Sequence, residues 1–128
     1  MVRAGALLLV GTSAVLVGSA PATRLAITLY PQGFGGPSRH YTLTCDSPGG
    51  TVPQPARACR VLARLKDPFA PTPPGTMCTD LALGPQTATI TGRLRGERVS
   101  AQLSVAGGCE INRWRRVTSV VPGFSGSP

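Results

Sequence analysis

The sequence predicts an α+β fold in which helices cover one face of an antiparallel β-sheet. Segments with alternating apolar and polar residues, typical of strands with one buried face, occur near the start and in the second half of the chain. Between them lies a segment whose apolar residues fall at helical spacing. Stretches rich in glycine and proline separate these segments, and no internal repeat or interdomain linker is present. We therefore expect one small domain.

The first 22 residues are predicted to be a signal peptide. Arg3 provides a positive start, and the apolar run that follows is too short to span a membrane comfortably. Ala20 and Ala22 match the small residues that precede a signal peptidase site. We therefore expect a secreted, extracellular domain at residues 23–128, with no membrane attachment after cleavage. A retained amphipathic or lipid anchor is the alternative.

Two strands are predicted before the helix. The first carries Leu25, Ile27 and Leu29 on its buried face and ends before a loop rich in glycine and proline. The second covers residues 39–46, and its alternation points Cys45 inward.

Residues 54–66 are predicted to form an amphipathic helix that ends at Asp67, because a residue before proline avoids the helical region. The apolar side holds Ala58, Val61, Leu62 and Leu65, and the polar side holds Arg57, Arg60 and Arg64. The whole chain has a net charge of +8, or +7 without Arg3, and nearly all of it comes from arginine. We interpret the arginines as a solvated surface and expect no nucleic-acid partner. A surface that binds polyanions or the cell wall is the alternative.

The second half of the chain is predicted to contain a β-hairpin, a short helix and a last strand. The hairpin strands show the clearest alternation, and Arg95-Gly96 is a candidate tight turn between them. In the helical segment Ile111 and Trp114 lie three residues apart on one face, and Trp114 is expected to fill the core. The predicted ranges are 86–94 and 98–106 for the hairpin strands, 109–116 for the helix, 117–121 for the last strand and 122–128 for a frayed tail.

Four cysteines in an exported chain indicate disulfide bonds. Thirteen residues separate Cys45 from Cys59, thirty separate Cys78 from Cys109, and no Cys-x-x-Cys motif favours zinc. Three pairings are possible, and spacing alone does not choose between them. Because the strand with Cys45 precedes the helix with Cys59, a bridge between these two is the natural local pairing.

The most unusual segment is the loop before the hairpin, at about residues 71–84. It begins with prolines, and Thr76 to Ala82 contains neither glycine nor proline, so this part is expected to run extended without an assigned neighbour strand. A disulfide at Cys78 would tether its middle, and a tethered extended segment loses less entropy when it pairs with a partner's sheet edge. We interpret it as a segment that a protease binds like a substrate but does not cleave productively. A structural disulfide under an ordinary loop is the alternative.

Five short segments together resemble the Streptomyces subtilisin inhibitor family of secreted serine protease inhibitors, over residues 25–124. They are residues 41–45, the alanine-rich helix around Cys59, Met77-Cys78, residues 96–100 and residues 109–112. The resemblance implies a five-stranded antiparallel sheet with two helices packed on one face, two disulfides that join Cys45 to Cys59 and Cys78 to Cys109, and a homodimer.

The resemblance also implies that residues 71–84 are a reactive loop, in which the scissile bond lies two residues beyond the loop cysteine. Asp80–Leu81 is then the reactive bond, and Met77, Cys78 and Thr79 are the protease-contacting residues before it. The protease attacks the Asp80 carbonyl, but the Cys78 bridge keeps both sides of the bond in place, so that the bond re-forms. The implied partner is an extracellular serine protease.

Asp80 departs from the family pattern, in which the residue before the scissile bond is usually uncharged or basic. The S1 pockets of subtilisin-like proteases are largely apolar, and an unpaired carboxylate there is expected to lower affinity about a hundredfold or more. The sequence therefore leaves two kinds of target open, a subtilisin-like protease and an acid-preferring one.

Two further functions stay open at this stage. The chain is a family member with another target, such as a metalloprotease, a transglutaminase or the cell wall, or it is an unrelated secreted disulfide domain. Enzymatic activity is not expected, because no motif pairs His40, the only histidine, with a serine or a free cysteine, and the five acidic residues are scattered. No cofactor or metal is expected.

The homodimer has a candidate surface on the sheet face opposite the helices. This face is predicted to carry uncharged polar residues, which can stack on a second copy with little desolvation. They are Thr42, Thr44, Thr87, Thr89, Thr91, Ser100 and Gln102. A threonine-rich face exposed to water is the alternative.

Overall fold

The computed structural model describes residues 5–12 and 22–124. Most of the predicted signal peptide, including Ala20, lies outside the described residues, as does the end of the predicted tail. Within the described part, no helix has both the length and the apolar character needed to cross a bilayer.

Five strands form one antiparallel sheet with the order β3-β2-β1-β4-β5. The strands are β1 (Arg24–Tyr30), β2 (Arg39–Thr44), β3 (Gly49–Gly50), β4 (Ala82–Leu94) and β5 (Glu97–Ala106), and the helices are α1 (Pro55–Arg64) and α2 (Gly108–Arg115). The expected α+β fold with a five-stranded antiparallel sheet, two helices and two disulfides is confirmed.

The core lies between one face of the sheet and the two helices. Alternation along β1 buries Leu25, Ile27 and Leu29, and each meets an apolar or small neighbour across the strands, as in the pair Ile27 and Ile90. The helices close this face with Ala58 and Leu62 from α1 and with Ile111 and Trp114 from α2. The Trp114 indole N–H donates a hydrogen bond of 2.9 Å to the Val121 carbonyl, so the one polar group of this buried side chain is satisfied.

The β4–β5 hairpin has the two-residue turn that the sequence predicts. Arg95 and Gly96 have φ values of 50° and 83°, a left-handed pair that matches the twist of the two strands. The Arg95 guanidinium then reaches the end of α1 and donates to the carbonyls of Leu62, Leu65 and Lys66 at 2.9–3.1 Å. Carbonyls at a helix end lack intrahelical partners, so Arg95 ties this end of α1 to the hairpin.

The prediction of a last strand at residues 117–121 is wrong. Val117, Val120 and Val121 are fully buried, but they lie in hydrogen-bonded turns, and the Val121 N–H donates to the Val117 carbonyl at 2.8 Å. Their spacing of three and four residues suits a helical turn, and so short an apolar run does not distinguish turn from strand. The fifth strand is instead β3, which pairs with the end of β2.

The sheet face opposite the helices is mostly uncharged, as predicted. The strand register brings Thr91 beside Ser100 and Thr89 beside Gln102. One edge of this face differs, because Arg24, Arg93 and Arg98 lie side by side on β1, β4 and β5.

Candidate functional site

The predicted reactive loop emerges at the sheet end where β4 begins. Residues 73–81 are all exposed and have no helix or strand of their own, and the Met77 side chain is 95% exposed. Residues 82–84, the last of the predicted loop, belong to β4. Such exposed, irregular backbone needs other contacts to hold one conformation.

Both disulfides have the pairing that the resemblance implied. The Cα atoms are 5.5 Å apart in Cys45–Cys59 and 5.4 Å apart in Cys78–Cys109. The second bond links the exposed loop to the first turn of α2. The middle of the loop is therefore covalently fixed to a helix whose Ile111 and Trp114 lie in the core.

Two backbone hydrogen bonds hold the loop on both sides of Asp80. The Gly108 N–H donates to the Thr79 carbonyl at 2.9 Å, and the Gly107 N–H donates to the Leu81 carbonyl at 2.7 Å. Since Ala82 pairs with Ala106 at the end of the sheet, these bonds continue the β4–β5 ladder into the loop. In an extended chain, carbonyls two residues apart face the same side, so the pattern fits the extended backbone expected here.

The same two amides belong to the beginning of α2. The first N–H groups of a helix have no intrahelical partner, and Gly107 at the N-cap has no side chain to supply one. The carbonyls of Thr79 and Leu81 serve as the hydrogen-bond partners of these amides instead. Glycine at position 108 also leaves room for the Thr79 hydroxyl, which a Cβ atom there would contact too closely. Loop and helix start are thus fitted to each other through the backbone.

Asp80 itself is exposed, and among the described residues it forms no hydrogen bond or ion pair. Leu81 beside it is 58% exposed. Their backbone neighbours are held while their own side chains stay available, which is the arrangement a binding segment requires.

The beginning of the loop has two other supports. Pro73 accepts hydrogen bonds at its carbonyl from the Thr76 N–H at 3.2 Å and from the Thr76 hydroxyl at 2.6 Å, which closes a turn. Upstream of it, Arg113 of α2 donates to the carbonyls of Phe69 and Ala70 at 3.2 and 2.9 Å. These contacts set the direction in which the chain leaves the core.

The structure thus brings together Met77, Cys78, Thr79, Asp80 and Leu81 in one exposed segment fixed to α2. Whether Asp80–Leu81 is the bond that a protease attacks stays a prediction. His40 lies exposed on β2, with Nδ1 3.2 Å from the Thr28 hydroxyl. The described residues contain no cluster of three or more histidine, cysteine or acidic side chains able to hold a metal ion.

Sequence reasoning missed Gly107, Gly108 and Arg113. The glycine pair follows the predicted strand 98–106 and reads as the end of that strand, but a glycine pair beside a cysteine also allows close backbone approach. Glu110 three residues before Arg113 is a signal for a helical ion pair, but no sequence signal marks its other partners, which are backbone carbonyls of other segments.

A family model described as subtilisin inhibitor-like matches residues 21–106, about two thirds of the 128 residues. Comparison with curated proteins gives no match. Among solved structures, the chain is similar to Streptomyces caespitosus sermetstatin, crystallised in complex with Bacillus licheniformis subtilisin. The identity is 26%, the match covers 81% of this chain and 98% of that chain, and the TM-score is 0.46.

The family match includes all five strands, the Cys45–Cys59 disulfide and the whole predicted reactive loop, whereas Cys109 and α2 lie beyond it. The loop geometry described above is what an inhibitor that resists cleavage requires. The chain belongs to the subtilisin inhibitor-like family, a family of protease inhibitors and not of enzymes.

Proposed function

We propose that this protein inhibits an extracellular serine protease by presenting Asp80–Leu81 as a substrate-like bond. The observation that carries the proposal is the anchoring of both flanking carbonyls, on Thr79 and Leu81, to consecutive amides at the start of α2. A protease that cleaves the bond leaves both new ends in place, since Cys78 is also joined to Cys109. The leaving amine stays close to the acyl-enzyme and the bond re-forms faster than the fragments separate.

Recognition on this model comes from the residues before the bond. Met77 is almost fully exposed and offers an apolar side chain for the S4 pocket, while the backbone from Met77 to Asp80 pairs with the edge of the enzyme's sheet. Because Asp80 occupies S1, a pocket with a basic group fits the native chain better than an apolar one.

Titration of the purified domain against subtilisin, trypsin and a glutamate-specific serine protease tests the proposal. We expect the strongest inhibition with the acid-preferring enzyme, weak inhibition of subtilisin and none of trypsin. Inhibition of none of the three, with intact disulfides, would contradict inhibition through this loop and favour the alternative in which the family scaffold has a different target. The free, exposed carboxylate of Asp80 is the feature that favours this alternative.

Secretion is part of the same proposal. Its support is the family, together with the positive, apolar and small-residue order of residues 1–22. Expression of the full chain in a secreting host should release a protein that begins near residue 23, as read by N-terminal mass spectrometry. A chain that stays with the cells and retains Met1 would contradict it.

We also propose that two copies pair through the sheet face opposite the helices. The register places uncharged Thr89, Thr91, Ser100 and Gln102 together on that face, while Arg93 and Arg98 form part of its charged edge. Apposed arginine rows repel, so the dimer should weaken at low salt. Sedimentation equilibrium at micromolar concentration should give the mass of two chains, and the mass of one chain at every salt concentration would contradict the dimer.

A further inference from the structure

Arg113 forms an unusually complete set of contacts for a surface-helix residue. Its side chain is only 11% exposed. It donates to the carbonyls of Phe69, Ala70 and Gln102 at 2.9–3.2 Å, and its Nη1 atom lies 2.7 Å from a carboxylate oxygen of Glu110. One guanidinium therefore joins three parts of the chain: the segment that leads into the reactive loop, strand β5 and helix α2.

The position of these contacts connects Arg113 to the loop. After Phe69 and Ala70 the chain continues through Pro71 and Pro73 alongside α2, and an open groove of about 360 Å³ separates the two. Phe69 is anchored by its burial in the core, but side-chain packing does not fill the groove beside Pro71 and Pro73. Arg113 adds polar contacts at the point where the loop leaves the core. At the other end, Gly107 and Gly108 hold the backbone around Asp80.

Glu110 orients the guanidinium. It lies one turn before Arg113 on α2, and this is the only ion pair between side chains of the described residues. Hydrogen bonds from a charged donor are stronger than neutral ones, and a planar guanidinium serves several acceptors at once. Lysine has one ammonium group and cannot reach the same set.

We propose that Arg113 is a positioning residue for inhibition, which fixes the start of the reactive loop relative to α2 so that the attacked bond re-forms instead of being released. The inference rests on the proposed function. On this inference Arg113 determines whether the protein acts as an inhibitor or is cleaved as a substrate, although Arg113 itself does not contact the protease.

Arg95 supplies a matched control. It also donates to three backbone carbonyls, those of Leu62, Leu65 and Lys66, but it does so at the end of α1, away from the loop. Arg113→Gln and Arg95→Gln each remove three hydrogen bonds to backbone carbonyls and one positive charge. A general loss of stability affects both variants alike, whereas a role in loop positioning affects only one.

The test uses four variants, Arg113→Gln, Arg113→Lys, Glu110→Gln and Arg95→Gln, each combined with Asp80→Met so that subtilisin is the probe. Mass spectrometry follows cleavage after residue 80 with time, and thermal unfolding reports stability. We expect Arg113→Gln to be cleaved about ten- to a hundredfold faster than the Asp80→Met parent, from the loss of charge-assisted hydrogen bonds. The cleavage rate of Arg113→Lys should lie between those of Arg113→Gln and the parent. Glu110→Gln should change the cleavage rate about threefold or less, because the amide oxygen still accepts a hydrogen bond. Arg95→Gln should be cleaved at the same rate as the parent.

Hydrogen exchange of the free proteins provides a readout that needs no protease. The Gly107 and Gly108 amides report on the anchored bond, and the Thr76 amide reports on the Pro73 turn. Arg113→Gln should speed exchange at all three, and Arg95→Gln should not. Equal cleavage and equal exchange in these two variants would overturn the inference. Failure of the Asp80→Met parent to inhibit subtilisin would instead count against the proposed function, and exchange would still decide the role of Arg113.

Discussion

The Cys45–Cys59 disulfide joins the end of β2 to α1, whereas Cys78–Cys109 joins the proposed reactive loop to α2. Around the first, Cys45 and Cys59 pack against the buried core that includes Ala58 and Leu62. Around the second, residues 73–81 are exposed and are held by the disulfide and by hydrogen bonds to their backbone. The first region is ordered by burial of its side chains, and the second by a disulfide and hydrogen bonds to its backbone.

This difference separates stability from inhibition. In the chain-entropy model the two disulfides contribute similar free energies of folding, about 3 kcal/mol for the shorter loop and about 4 kcal/mol for the longer one. Stability measurements alone would therefore rate them as nearly equivalent. Their functional contributions should differ greatly, because only one of them lies next to the bond that a protease would attack.

Replacing each pair with serine should have the largest effect and test the comparison directly. Both Cys45→Ser/Cys59→Ser and Cys78→Ser/Cys109→Ser should lower the free energy of unfolding by about 3–4 kcal/mol, measured by denaturant titration. Under conditions where both remain folded, only the second should change from inhibitor to substrate, with rapid cleavage after Asp80. Rapid cleavage of the first variant as well would show that the two regions are not separable.

Asp80→Met should change inhibition without a change in stability. If the loop already holds a protease-binding conformation, the charge is the main barrier to an apolar S1 pocket, and its removal should strengthen subtilisin inhibition by about ten- to a thousandfold. Because Asp80 has no partner among the described residues, the unfolding midpoint should stay the same. Inhibition constants and thermal melts measure the two quantities. An Asp80→Met protein that is folded, disulfide-bonded and inactive against subtilisin would favour a different target.

Gly108→Ala should have the smallest effect of the three. The added methyl group collides with the Thr79 hydroxyl, so the Thr79 side chain must rotate or the loop must move away from α2. We expect inhibition to weaken about tenfold, equivalent to the loss of one ordinary hydrogen bond. Gly36→Ala is the control, since its new methyl group meets only ordinary contacts at 3.4 Å in a loop between β1 and β2. Equal inhibition by both variants would mean that the close approach at Gly108 is not needed.

The sequence predicts the first region better than the second for the same physical reason. Burial produces periodic patterns, so β1, α1 and the Arg95-Gly96 hairpin were all predicted close to their observed bounds. Contacts made by the backbone leave no such pattern. The bonds from Gly107 and Gly108 to the loop join segments that are distant in sequence. β3 lies close to β2 in sequence, but it consists of two glycines and so carries no apolar alternation. The prolines, the extended run and Cys78 indicated that residues 71–84 matter, and the family resemblance added the reactive bond, but neither pointed to Arg113.

Because the loop is anchored through its carbonyls and one cysteine, the side chains that a protease would recognise are free to change. Met77, Asp80 and Leu81 extend into solvent and contribute nothing to the core, so their replacement should leave the fold intact. Most mutations in a small domain draw on a narrow margin of stability, but changes at these three positions do not. A lineage can therefore alter the protease it recognises one substitution at a time, with every intermediate still folded. Asp80 is then an example of the variation that such a scaffold tolerates.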